Sequence, residues 1–192
     1  MKRIVLATNN AHKLREMRQM LGDSYEVLGL ADIGCDVEIP EDADTFAGNA
    51  LAKASYVRTH FGLACIADDS GLEVDALDGR PGVHSARFAG EHDSTANNAK
   101  LLRLMENETN RRARFRCVVC LVDDNDAVHY FEGAVEGEIL DRLYGEGGFG
   151  YDPLFRPLGW SKSFGEASAN EKNAVSHRGK AVEALRQYLE TV

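Results

Sequence analysis

Apolar positions change period several times along the chain, and each change marks a candidate element. Residues 3–8 (RIVLAT) form a short apolar run that predicts a buried strand. Residues 10–22 then space Leu14, Met17 and Leu21 along one face of a helix, with Gly22 as its stop. Residues 25–30 (YEVLGL) return to strand, so the opening reads as a βαβ-like unit. An acid-rich loop (DVEIPEDADT, 36–45) leads into a helix over 44–62, capped by Asp44 or Thr45, with Phe46, Ala50, Leu51, Ala54 and Val57 inward. LACIA (63–67) is a strand that ends in two adjacent carboxylates, Asp68 and Asp69.

Residues 79–94 have the Gly, Pro and polar density of a loop, and 94–107 is again helical. Two long strands, 113–124 and 127–140, meet at DDND in a hairpin. A Gly-rich loop, an irregular YDPLFRPLGW and a helix from Ser176 to Leu189, striped by Val182, Leu185 and Leu189, complete the pattern. No repeat, low-complexity tract or linker interrupts it. The expected fold is one α/β domain over residues 1–192, built around a mixed, strongly twisted sheet.

A chain of 192 residues accommodates one domain with a sizeable core, or at most two small lobes. Its 31 acidic against 22 basic residues, net −9, argue against an extended basic footprint for nucleic acid. Any anionic ligand is then met by a local cluster or a metal. The apolar run in MKRIVLATNN is too short for a signal peptide or membrane span, so a cytoplasmic protein is expected. Cys117 and Cys120 form a CxxC, but they lie in a strand-like segment, where residues three apart face opposite sides. With no second CxxC, Cys35, Cys65, Cys117 and Cys120 read as buried structural thiols.

Four segments carry candidate chemistry. ATNNAHKL sets Thr8, Asn9 and Asn10 between a strand and a helix N-terminus with Lys13 on the first turn, which favours phosphate; helix capping by Asn alone would explain the asparagines. Asp68 and Asp69, on the carboxyl edge of an α/β sheet, suit a divalent cation such as Mg²⁺, with Glu41, Asp42 or Asp44 as a further ligand; a solvated turn is the alternative. YGEGGFGYD matches G-x-G-x-x-G through Gly145, Gly147 and Gly150, yet prolines follow where a dinucleotide fold needs a helix. It reads either as a flexible loop or as a backbone approaching a flat or anionic ligand, with Phe149 or Tyr151 for stacking. Lys172, His177 and Arg178 gather at the start of the last helix, where cations oppose the macrodipole; a ligand or a surface patch would account for them.

Together ATNNAHK, TFAGNALAKA, ADDSGLEVDAL, PGVHSARFAG, GGFGYDPLF and SHRGKA resemble the inosine triphosphate pyrophosphatase family, in order and over nearly the whole chain. The resemblance implies Mg²⁺-dependent hydrolysis of ITP, dITP or XTP to the monophosphate and pyrophosphate, which cleanses the nucleotide pool. It also implies an elongated two-lobed α/β fold, flanking helices on a long twisted mixed sheet, a cleft site and a homodimer, with no nucleic acid or membrane partner. Carried over, Thr8, Asn9, Asn10, Ala11, His12 and Lys13 hold phosphates and Lys53 adds charge. Asp69 is the base and a metal ligand, with Glu41 and Asp68 holding or orienting Mg²⁺. Ser70 lies beside the substrate, Phe149, Gly150, Tyr151 and Asp152 form the base-side loop, and Lys172, His177 and Arg178 read the purine. One departure stands out: the family often has an acid where this chain has Gly48, directly before Asn49. A Maf-type pyrophosphatase, whose phosphate loop is Ser-rich and Arg-containing, and a nucleotide sensor without turnover are the competing readings.

Overall fold

The computed structural model describes residues 2–192. Its framework is one six-stranded sheet in the order β2-β1-β3-β4-β5-β6. β1 (Lys2–Leu6) pairs in parallel with β2 (Tyr25–Leu28) and with β3 (Cys65–Val74), and β5 (Val128–Ile139) pairs antiparallel with β6 (Phe155–Pro157). The sheet is therefore mixed, as the sequence predicts. β4 (Arg112–Val122) and β5 form the expected hairpin, turned at Asp123, whose backbone N–H bonds the Ala127 carbonyl.

Two compact units divide the chain. The first comprises residues 1–69, 117–133 and 178–192, and the second residues 70–116 and 134–177. In the first, α1 (Ala11–Leu21) and α5 (His177–Leu189, all but its first residue) bury Met17, Leu21, Val182, Leu185 and Leu189 against Ile4, Leu6, Ile66, Cys117 and Val119. The other face of the same strands, through Val5, Ala67, Cys65 and Cys120, receives Ala50, Ala54 and Val57 of α2 (Phe46–Phe61). Each fully buried Val or Leu adds about 1.5–3 kcal/mol. Cys117 and Cys120 thus lie on opposite faces in separate apolar clusters, as strand alternation requires. In the second unit, α3 (Ser94–Met105) packs Leu101 and Met105 against Leu72, Val74, Phe115, Phe155 and Phe164.

Three differences from the sequence reading bear on function. The aspartates do not end their strand: β3 runs on to Val74. They do lie just past the parallel portion, because β1 ends at Leu6, opposite Ile66. Lys172 does not open the last helix; it sits on α4 (Ala169–Val175), a short separate helix closed by a capping box between Ser168 and Glu171. Ser176 is accordingly the C-cap of α4 before α5 begins. The irregular stretch after the Gly-rich loop contains β6. Of the two cap candidates for α2, Thr45 serves, accepting from Gly48 N.

Candidate active site

Adjacent strand residues point to opposite faces, which resolves the pairing of two like charges. Asp68 follows Ile66 onto the α1/α5 face, and Asp69 follows Ala67 onto the α2 face. Their partners differ accordingly. Asp68 Oδ2 receives Lys13 Nζ at 3.2 Å and Arg178 Nε at 3.3 Å. Arg178 in turn pairs with Glu16 on α1, so a buried guanidinium is held between two carboxylates. Asp69 Oδ2 instead accepts from Asn49 Nδ2 at 2.9 Å.

α2 supplies the rest of this cluster from one of its faces. Lys53 stands one turn after Asn49, pairs with Glu41 and donates to the Asp68 carbonyl at 2.6 Å. Asn49 Oδ1 accepts from Ala43 N at 2.9 Å, which fixes the loop bearing Glu41. At Gly48 a Cβ would lie 2.7 Å from the Ala43 Cβ, so this loop occupies the space a larger residue there would need. Ahead of α1, Thr8 Oγ1 accepts from Asn10 N, and Asn10 Oδ1 caps the helix through His12 N and Lys13 N. Capping is thus one role of the asparagine, and it leaves Lys13 aimed at Asp68.

These environments push the two acids apart. Burial, the largest influence on both, disfavours ionisation; at Asp68 the cations Lys13, Arg178 and Lys53 outweigh it and hold the carboxyl well below its usual range. At Asp69 burial prevails over Lys13, Lys53 and the Asn49 hydrogen bond, and its pKa is raised. Glu41 is lowered: burial opposes this, but the Lys53 charge and hydrogen bond win. Two neighbouring carboxyls with opposite shifts provide a permanent anion and a more basic partner.

Among the described residues no three His, Cys, Asp or Glu side chains form a ready metal cage. Mg²⁺ does not need one, since it is commonly held by one or two carboxylates, water and substrate phosphate. The structure offers an oxygen suited to it. Asp68 Oδ1 is buried and accepts no hydrogen bond among the described residues, which costs about 1–3 kcal/mol unless a cation or donor arrives.

The second unit gathers a different chemistry. Lys172 Nζ pairs with Asp152 Oδ2 at 2.7 Å and lies 4.4 Å from the centre of the Phe149 ring, both charges being almost fully buried. Asp152 Oδ2 also accepts from Phe149 N at 3.0 Å. Gly148, at φ +68°, is needed here, because a Cβ would fall 2.1 Å from that same oxygen. Tyr151 is buried with its hydroxyl donating to Ser85 O at 2.6 Å, and Asn98 Nδ2 donates to Gly150 O at 3.0 Å. The Gly-rich segment is therefore a braced loop. His177 is buried with its ring stacked on Phe115, centroids 4.9 Å apart. Ser70, half-buried, follows Asp69 on β3.

Thr8 to Lys13, Lys53, Glu41, Asp68 and Asp69, expected at the phosphates, all fall in the first unit, and Phe149 to Asp152 with Lys172 and His177 in the second. Arg178, grouped with Lys172 and His177 by sequence, sits instead with Asp68 and Glu16. Glu16 escaped the sequence reading; its signal is the three-residue spacing from Lys13 on one helix face. Asn98 and Ser85 had no motif to reveal them.

Comparison with known proteins gives the family. The model of the Ham1 family matches residues 4–188. A dITP/XTP pyrophosphatase of Porphyromonas gingivalis is 51% identical, covering 98% of both chains. One from Flavobacterium psychrophilum is 48% identical over 95% of this chain and 96% of its own. The Ham1 protein of Staphylococcus aureus superposes with a TM-score of 0.90 at 40% identity, covering 99% of each chain. With its motifs in order, its acids split across β3 and its matching fold, the chain belongs to the Ham1 family.

Proposed function

We propose that the protein hydrolyses noncanonical purine nucleoside triphosphates, dITP, XTP and ITP, to the monophosphate and pyrophosphate. The observation that carries this reading is the split of two adjacent carboxyls across β3: Asp68 held by Lys13 and Arg178 on one face, and Asp69 oriented by Asn49 on the other. The curated relatives, named dITP/XTP pyrophosphatases and about half identical, indicate the substrate class.

Lys13 and Lys53 offset charge on the triphosphate and on the leaving pyrophosphate. Asp69, oriented by Asn49, positions a water and accepts its proton as the water oxygen bonds the α-phosphorus. The α–β bridging bond breaks with its electron pair leaving on pyrophosphate. Asp68, with Asp69 or Glu41, would hold Mg²⁺, which would supply Lewis-acid polarisation and charge neutralisation there. Phe149 gives a stacking face, and Lys172 and His177 offer donors to a 6-keto oxygen, which adenine's amino group cannot accept. We further propose a cytoplasmic homodimer, by resemblance to the family alone.

Pyrophosphate release from dITP, XTP, ITP, GTP and ATP with Mg²⁺ tests the assignment. It predicts fast release from the first three and at least a hundredfold lower kcat/KM on ATP, on the order of what an unpaired polar group in a specific pocket imposes. Equal turnover of all five, or binding without turnover, would refute it.

A further inference from the structure

Asn98 belongs to no motif, yet it is 7% exposed at the start of α3 and its two polar atoms are treated unequally. Nδ2 donates to the Gly150 carbonyl at 3.0 Å, whereas Oδ1 is buried and accepts no hydrogen bond among the described residues. Turning the amide over would set Oδ1 against a carbonyl oxygen, so the Gly150 bond fixes its orientation. A leucine of similar size would fill this site without the cost of an unsatisfied acceptor.

The neighbouring residues show what the bond governs. Asn97, next on the helix, secures another loop: its Nδ2 donates to Ala86 O at 3.1 Å and its Oδ1 accepts from Ala89 N and Gly90 N. In the Gly-rich loop, Tyr151 is tied to Ser85 and Asp152 to Lys172, both after Gly150. Gly150 itself has φ +60°, and a Cβ built there meets nothing within 4 Å. Asn98 thus restrains the peptide that joins Gly150 to Tyr151, while the Phe149 carbonyl just before it accepts from Asp152 N at 3.2 Å.

We propose that Asn98 is a positioning residue for the purine-binding loop: by holding Gly150 O it sets the Phe149 ring for stacking on the base. This rests on the proposed function and assigns base affinity to a side chain that makes no substrate contact. The phosphate cluster on α1, α2 and β3 is independent of it.

The test is calorimetric binding of IMP, which carries the base, and of pyrophosphate, which does not, to wild-type protein and Asn98→Leu. Thermal unfolding and ITP kinetics accompany it. Asn98→Leu should keep its melting temperature and pyrophosphate affinity, bind IMP about five- to tenfold more weakly, and raise KM for ITP in proportion with kcat within about twofold. Unchanged IMP affinity overturns the proposal; so does parallel loss of IMP and pyrophosphate binding with a lower melting temperature, which would mark a structural residue only. Should Asn98→Leu fail to fold, Asn98→Asp makes the same comparison, since its carboxylate has no donor for Gly150 O. Wild-type protein that binds IMP but does not turn over ITP would defeat the proposed function and leave the Asn98 comparison readable.

Discussion

Arg178 shows how much one side chain holds. It is fully buried, Nε on Asp68 and a terminal nitrogen on Glu16, and its pKa is raised: burial opposes the charge but both carboxylates outweigh it. Arg178→Met leaves two carboxylates in a desolvated site with a partner missing, and urea unfolding should show a loss of about 3–5 kcal/mol. A loss below about 1 kcal/mol would mean that the pair relaxes at little cost. Gly148→Ala acts on the other cluster, because its Cβ must displace the Asp152 carboxylate that holds Lys172 and Phe149 N. Its KM for ITP should rise at least about tenfold, the equivalent of roughly 1.4 kcal/mol. At this scale the sequence was legible where chemistry repeats a known spacing, as in Lys13, Lys53 and the two aspartates. It was opaque for Glu16 and Asn98, whose partners lie on elements far away in the chain.

At the scale of elements, the periodic segments were read to within a few residues. α1, α2 and α5 bury the stripes that their spacing gave, and the β4–β5 hairpin turns where four polar residues interrupt two apolar runs. β3 was read short because Asp-Asp-Ser-Gly has the composition of a turn. Only tertiary partners, Lys13 and Arg178 on one face and Asn49 on the other, let the strand continue through it. α4 was missed because its seven residues give too short a periodic signal, although Ser168 and Glu171 form a capping box in plain view. Since α4 presents Lys172, Ser168→Ala should cost about 1 kcal/mol in stability and weaken IMP binding while sparing pyrophosphate, both measurable on one sample. Loss of stability without loss of IMP affinity would separate the helix from nucleotide binding.

For the whole molecule, the four cysteines report the integrity of the fold. All are buried thiols. Burial pushes Cys120 up to about 11 and Cys117 up to about 12, and raises Cys65 as well. A raised folded-state pKa gives stability that is complete below the unfolded value near 8.5 and is lost as pH climbs toward the folded one. Unfolding free energy should therefore decline between about pH 9 and 11. A thiol reagent at pH 8 should label none of the four until denaturant is added, and rapid native labelling would contradict the packing. Family membership, mixed sheet and thiol burial were all legible in the sequence, because they follow from motif order and periodicity.

The proposed mechanism turns on Asp69 taking the proton while Asp68 remains a fixed anion. Single-turnover hydrolysis of ITP by Asp69→Asn, with nucleotide affinity measured on the same preparation, tests it most directly. The rate should fall about 10²–10⁴-fold with affinity within a few-fold of wild type. A near-wild-type rate would contradict it and place the base elsewhere.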